Sequence, residues 1–122
     1  MIAGLGIDIT ELARVKVAIE NHPSFIDRIL TTAEQAQAAN FHHQRKVEYI
    51  AGRWSLKESF SKAMGTGISK TVGFLDLEIL DNELGQPIVT KSPYPGPAHV
   101  SVSHTKELVM TEVILERNAQ DD

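Results

Sequence analysis

No cysteine occurs among the 122 residues. This excludes a disulfide scaffold, a thiol nucleophile, an iron–sulfur cluster and a thiolate zinc site. It is compatible with a cytoplasmic location, which is the expectation here. Basic excess is missing too: 12 Lys+Arg stand against 16 Asp+Glu, for a net charge of −4. A general duplex-binding surface needs the opposite balance, so no nucleic-acid partner is expected. No run approaches ~18 apolar residues, so no membrane span is expected either. The apolar start, Met1 to Ile7, is short, lacks a basic leader and meets Asp8 at once. It reads as a first strand and not as a secretory signal. What remains is 42% apolar and 23% charged, the makeup of a globular protein. Its length suits a single domain over 1–122 with its own core.

The order of elements follows from hydrophobic period and punctuation. Ile2 to Ile9 reads as a strand. Thr10 is a candidate N-cap, after which Leu12, Val15 and Ile19 recur at helical spacing until Pro23. Ser24 to Leu30 predicts a second short helix. Thr32-Ala33-Glu34-Gln35 carries a capping-box pattern that opens a third, which fades near Asn40 to His43. The longest helical pattern runs from about Gln44 to Met64, with Val47, Ile50, Ala51, Trp54 and Ala63 on its apolar side. Gly65 and Gly67 follow it, as a left-handed C-cap prefers.

The second half changes to a period of two. Leu75, Leu77 and Ile79 alternate with Asp76 and Glu78. Asp81 to Gly85 is a turn, Pro87 to Thr90 a return strand, and Val100/Val102 mark a third. Leu108 to Glu116 is a fourth, apolar on both faces, and so predicted to be covered on both sides. One of those covers could be another subunit. Residues 118–122 read as a frayed tail. The expected class is α+β: an N-terminal strand, one long and several short helices, then an antiparallel meander.

Chemistry concentrates in a few places. Asp8 stands where strand meets helix, as a capping aspartate or as a metal-binding carboxylate at a crevice. Glu58 and Lys62 are spaced i, i+4, which by itself describes a surface ion pair. Arg53, Lys57 and Ser61 lie on nearby turns, so one helix side is expected to offer a carboxylate, three cations and a hydroxyl. Gly65-Thr66-Gly67 ends it with a turn where backbone can approach a ligand. Cations beside a hard metal suit a pyrophosphate, and Mg²⁺ takes one or two carboxylates with waters and phosphates. Asp8 and Glu58 are fifty residues apart, so sequence alone does not bring them together. Ser101, Ser103 and His104 end a strand, but neighbours there face opposite ways and no third group orients them, which disfavours a hydrolase triad. His42-His43 lacks partners at metal spacing and reads as exposed loop. Trp54 reads as core. Gly4-Leu5-Gly6 lies inside a strand, so it is no dinucleotide fingerprint.

Four stretches together resemble one family. Gly6-Ile7-Asp8-Ile9-Thr10-Glu11-Leu12-Ala13-Arg14 is similar to its first motif, G-hydrophobic-D followed by E and R. Trp54-Ser55-Leu56-Lys57-Glu58-Ser59-Phe60-Ser61-Lys62-Ala63 with Gly65-Thr66-Gly67 is similar to its second, W/F-x-x-K-E-A-x-x-K-A. Gly85-Gln86-Pro87 and Ser101-Val102-Ser103-His104 resemble the third and fourth. The family is that of the holo-[acyl-carrier-protein] synthases, the small AcpS-type 4′-phosphopantetheinyl transferases. Two departures stand out. Ser59 replaces a common alanine, and Leu108-Val109-Met110-Thr111 replaces Tyr-Ala-x-Ala.

The resemblance implies transfer of 4′-phosphopantetheine from coenzyme A to a serine of apo acyl carrier protein, with release of adenosine 3′,5′-bisphosphate, in fatty acid biosynthesis. It implies Mg²⁺ held by Asp8 and Glu58, with Glu58 or a metal-bound water taking the serine proton and Lys62 assisting the leaving phosphate. Arg53, Lys57, Ser61, Lys62 and the Gly65-Thr66 turn would hold coenzyme A, with Gly85, Pro87 and His104 lining the same cleft. A homotrimer with active sites between subunits is implied, and Arg14 and Arg28 would meet the acidic carrier. Two other readings stay open: a non-catalytic oligomer that senses a nucleotide or coenzyme A, and a structural oligomer whose charged helix face is only solvated. The first would not require two carboxylates and Lys62 together; the second would not need the glycine turn.

Overall fold

The computed structural model describes residues 1–118. Strand β1 (Ile2–Glu11) leads into three short helices, α1 (Leu12–Asn21), α2 (Phe25–Ile29) and α3 (Thr32–Ala38), and then the long α4 (His43–Ala63). A 3₁₀ turn at Phe74–Asp76 precedes β2 (Glu78–Asp81), β3 (Pro87–Lys91), β4 (Ala98–His104) and β5 (Leu108–Glu116). The class is the expected α+β. The single meander is not found: β1, β5 and β4 form one antiparallel sheet with β5 central, while β2 and β3 form a separate hairpin. Of the expected C-terminal tail, residues 119–122 lie outside the described residues.

Helix α4 crosses β1 at backbone distance. A Cβ on Gly4 would stand 2.1 Å from the Ala63 carbonyl oxygen, and one on Gly6 would stand 1.9 Å from that of Ser59. This is the work of the Gly-Leu-Gly stretch: only a residue without a side chain lets a helix lie this close. With its other sides against β5 and the short helices, α4 is buried nearly all round. Tyr49, Ile50 and Ala51 join Leu12, Val15 and Ile29 in one cluster. Leu56 and Phe60 join Leu77, Ile79, Val113 and Leu115 in another. Ile50, Ala51 and Ala63 are buried as expected, whereas Val47 and Trp54 are only half-buried. Trp54 instead stacks between Phe25 and Phe74, with ring centroids at 5.5 and 4.8 Å.

Two capping expectations are corrected. Thr10 belongs to β1, and its hydroxyl donates to the Asp8 carboxylate at 2.7 Å, so it does not cap α1. The box that opens α3 begins one residue earlier, at Thr31, with Glu34 as its acidic partner. Glu34 does more than close that box. It is fully buried, and its Oε1 accepts from the Thr31 amide at 2.8 Å and from Lys57 Nζ at 2.6 Å. Its Oε2 accepts from the Ile79 amide at 2.9 Å, and Lys57 donates a second bond to the Ile29 carbonyl at 2.6 Å. One ion pair thus ties the end of α2, the start of α3, the middle of α4 and β2. Burial pulls the Lys57 ammonium below its ordinary pKa against the opposing pull of Glu34.

Removing one partner of such a pair strands a charge in a dry interior, at about 3–5 kcal/mol, whereas replacing both with apolar groups costs far less. Glu34→Ala is therefore expected to lose about that much stability. The double variant Glu34→Leu/Lys57→Met should lose less than Glu34→Ala alone. Urea unfolding of the variants checks both.

Candidate active site

Strand and helix repeats match where α4 meets β1. Two strand residues advance about 6.8 Å and four helix residues about 6 Å. Gly4 lies by Ala63 and Gly6 by Ser59, so the next inward residue, Asp8, falls beside Ser55. Its Oδ2 accepts from Ser55 Oγ at 2.8 Å and from Thr10 Oγ1 at 2.7 Å. Its Oδ1 accepts from Lys62 Nζ at 3.1 Å. Lys62 also reaches the Ile7 carbonyl at 3.1 Å. The Asp8 side chain is 13% exposed and that of Lys62 51%, so the aspartate is a fixed wall and the lysine a solvated arm.

Glu58 stands one turn before Lys62. Burial raises its carboxyl pKa first, the Asp8 charge raises it further, and Lys62 opposes both. Asp8 and Glu58 line one cavity of 470 Å³ together with Thr10, Arg14, Phe25 and Trp54. Among the described residues no group of three or more His, Cys, Asp or Glu side chains is placed to hold a metal. An ion here would have two carboxylates and leave its other positions to water or phosphate oxygens, the habit of Mg²⁺. A divalent cation would also relieve the repulsion that raises Glu58. The donor set fits that ion.

The expected single helix side, with one carboxylate, three cations and one hydroxyl, is not formed. Spacing by four makes two rows, 53/57/61 and 54/58/62, and one residue separates them by about 100°. In the second row Trp54 and Glu58 line the cavity, and the exposed Lys62 reaches Asp8 from beside it. The first turns inward. Arg53 donates from Nε to the Ile79 carbonyl at 2.7 Å, pairs with Asp81 and lies 4.3 Å over the Tyr49 ring. Lys57 is spent on Glu34, and the buried Ser61 hydroxyl donates to the Glu58 carbonyl at 2.7 Å. These three side chains are buried in the support of α4 and do not line the Asp8–Glu58 cavity.

Gly65 and Gly67 adopt φ of +80° and +65° just past Lys62, as a C-cap requires. Gly65 donates to the Lys62 carbonyl, while Thr66 and Gly67 both donate to that of Ser61. Nothing lies within 4 Å of a Cβ built on either glycine, so they are needed for conformation, and the turn is open. Gly85, Pro87 and His104 do not share the Asp8–Glu58 cleft within one chain. Gly85 sits in an exposed turn at φ +82°. Pro87 lines a different cavity of 410 Å³ with Val89, His99 and Ser101. His104 Nδ1 lies 3.7 Å from Glu48 Oε2, ten residues before Glu58 on α4. Ser101 and Ser103 face away from it across the strand, which leaves no hydrolase pair.

Arg14 is exposed on the cleft wall, and Arg28 is exposed on α2 outside it. The outer face of β1 and β5 is also bare. Leu5, Ile7, Ile9 and Met110 are 56, 48, 62 and 49% exposed, and Ile9 lies opposite Met110 in the register. Sequence reasoning missed Ser55, Thr10 and Thr111 as site residues. The signal was present: Thr111 is the one hydroxyl in the inward row Val109/Thr111/Val113/Leu115.

Residues 4–115 match the family model described as the 4′-phosphopantetheinyl transferase superfamily. A holo-[acyl-carrier-protein] synthase of Limosilactobacillus fermentum is 63% identical over 117 residues, 96% of this chain and 98% of that protein. One from Limosilactobacillus reuteri is 65% identical over 116 residues, 95% of this chain and 97% of that one. The crystal structure of the Bacillus anthracis synthase in complex with CoA (3′,5′-ADP) superposes with a TM-score of 0.90 at 42% identity, covering 97% of this chain and 99% of that one. The Helicobacter pylori synthase in complex with coenzyme A gives 0.81 at 28% identity, covering 92% and 99%.

The raised Glu58 carboxyl has a stability consequence. In the folded state it holds its proton more tightly than in the unfolded one, so the folded state loses stability as pH rises through the folded pKa. Glu58→Gln removes that loss. The metal-free variant is expected to melt above the wild-type chain at pH 7, and the advantage should vanish below the ordinary glutamate value of 4.5. Calorimetry across pH in the presence of a chelator checks this.

Proposed function

The chain belongs to the holo-[acyl-carrier-protein] synthase family of 4′-phosphopantetheinyl transferases, and from that membership we propose that it moves 4′-phosphopantetheine from coenzyme A to a serine of apo acyl carrier protein. Adenosine 3′,5′-bisphosphate leaves, and the product serves fatty acid biosynthesis in the cytoplasm. The observation that carries this reading is that Asp8 and Glu58 line one cavity while Lys62, one turn after Glu58, reaches Asp8.

In the reaction the carrier serine oxygen bonds to the phosphorus next to pantetheine, and the bond from that phosphorus to the bridging pyrophosphate oxygen breaks. Such a displacement is mostly positioning and charge stabilisation. Asp8 and Glu58 would hold Mg²⁺, which when bound supplies Lewis-acid polarisation and neutralises phosphate charge. Glu58, or a water on the bound ion, would take the serine proton. Lys62 would shift from Asp8 to the leaving phosphate. Exposed ion pairs hold by about 1 kcal/mol or less, so the exchange costs little. The open Gly65-Thr66 turn would take coenzyme A beside it, while Arg53, Lys57 and Ser61 act from beneath by fixing α4.

The outer sheet face exposes Leu5, Ile7, Ile9 and Met110 together, and grouped apolar exposure of this kind marks interaction surfaces. Its cover would be further copies of the chain, in a homotrimer with the active sites between subunits. Gly85, Pro87 and His104 of one subunit would then complete the Asp8–Glu58 cleft of the next. Arg14 and Arg28 would guide the acidic carrier, chiefly through association rate.

Mass spectrometry of apo carrier protein, incubated with this chain, coenzyme A and Mg²⁺, tests the reading by a gain of the phosphopantetheine mass. Asp8→Ala and Glu58→Ala should each lower turnover on the order of 10²–10³-fold, as loss of a charge-stabilising group does, with unchanged circular dichroism. Lys62→Ala should slow the single-turnover step more than it raises the KM for coenzyme A; an equal effect on both contradicts its role. Arg14→Glu should raise the KM for the carrier selectively, and the difference should shrink in high salt. An unchanged carrier KM at low salt would remove the docking assignment.

A further inference from the structure

Resting on that reading, we infer that three buried hydroxyls, of Ser59, Thr111 and Ser55, form a one-way donor chain that fixes the orientation of the Asp8 carboxylate. The contacts run through the α4–β5 interface. Ser59 Oγ lies 2.6 Å from Thr111 Oγ1, Thr111 Oγ1 lies 2.8 Å from Ser55 Oγ, and Ser55 Oγ lies 2.8 Å from Asp8 Oδ2. All three residues are at most 1% exposed. Serines inside helices commonly bond back to a carbonyl of their own helix. Ser61 does so; Ser55 and Ser59 reach across to the strand instead.

The direction follows from counting protons. An ionised carboxylate only accepts, so Ser55 spends its single hydroxyl proton on Asp8. Thr111 must then be the donor to Ser55. With that proton committed, the 2.6 Å contact needs Ser59 as donor to Thr111 Oγ1, which is nearer to it than the Thr111 carbonyl at 3.3 Å. Every hydroxyl dipole in the chain therefore points toward Oδ2. Thr10 adds a second donor to the same oxygen. Oδ2 is held inward by two hydroxyls, and Oδ1 is left to Lys62 and the cleft. Thr111 and Ser59 are positioning residues: neither lines the cleft cavity, and they act through Ser55.

Two substitutions at one position separate hydroxyl from packing. Thr111→Val keeps the shape and loses the hydroxyl; Thr111→Ser keeps the hydroxyl and loses a methyl. Mn²⁺ binding is titrated by electron paramagnetic resonance with coenzyme A present, alongside calorimetric melting. Loss of an outer partner of a metal ligand typically weakens affinity 10–100-fold. Thr111→Val is expected at the low end, about 10-fold, with Ser55→Ala at least as weak and Thr111→Ser within about twofold of wild type. Wild-type affinity in Thr111→Val, or weaker binding by Thr111→Ser than by Thr111→Val, overturns the proposal in favour of packing. Absence of Mn²⁺ binding by the wild-type chain would sink the metal assignment alone. The orientation is then decided by the crystal structure of Thr111→Val. A carboxylate turned away from its wild-type position supports the chain, and an unmoved one overturns it.

Discussion

The approach of α4 to β1 at backbone distance governs the rest of the molecule. Helix and strand advance by nearly equal steps there, so Gly4, Gly6 and Asp8 meet Ala63, Ser59 and Ser55 in turn. Two of the three strand positions have no room for a side chain. The third is the first place in the row where a side chain fits, and it carries the carboxylate. Glu58 and Lys62 flank this row on the same helix. Two acids and an ammonium distant in sequence become neighbours because a helix and a strand share a repeat.

The groups around that contact divide their labour by row. Positions 54 and 58 line the cleft with Lys62 exposed beside it, and 53, 57 and 61 look into the core. Neighbouring residues of one motif thus serve different ends. Lys57 is held by Glu34 and the Ile29 carbonyl where no solvent reaches, while Glu58 is partly buried beside the Asp8 charge. The core stabilises the helix, and at the cleft burial and the Asp8 charge raise the Glu58 carboxyl against the pull of Lys62. Stability and function commonly oppose one another at active sites in this way.

Much of this architecture is legible in the chain itself. The period of 3.6 from Gln44 to Met64 and the glycines after it foretell α4 to within a residue at each end. The apolar alternation on both faces of Leu108–Glu116 foretells the strand and a cover on each side; within one chain only the Val109/Thr111/Val113/Leu115 face is covered, and Leu108 and Met110 are 40 and 49% exposed. Other features are not legible. Thr10 is a good N-cap by type, but a carboxylate two residues away competes for its hydroxyl. Lys57 and Arg53 are charged, and charge in a helix normally means solvent; only the positions of Glu34 and Asp81 turn them inward. The substitutions of Ser59 and Thr111 into the family pattern look unrelated in sequence, 52 residues apart, yet their hydroxyls meet at 2.6 Å.

By itself, the sequence determined which residue types stand at which spacing: the carboxylates, the lysine one turn on, the glycines that permit close approach and the absence of thiols. These are local properties, fixed by side-chain chemistry and by the period of each element. Only the tertiary structure decided which charges face a cleft and which face a core, that Gly85, Pro87 and His104 stand apart from Asp8 within one chain, and that the inner oxygen of Asp8 is claimed by hydroxyls. Those outcomes depend on the register between α4 and the sheet. Register is set by packing between segments remote along the chain, and a spacing rule within one segment carries no information about its partner.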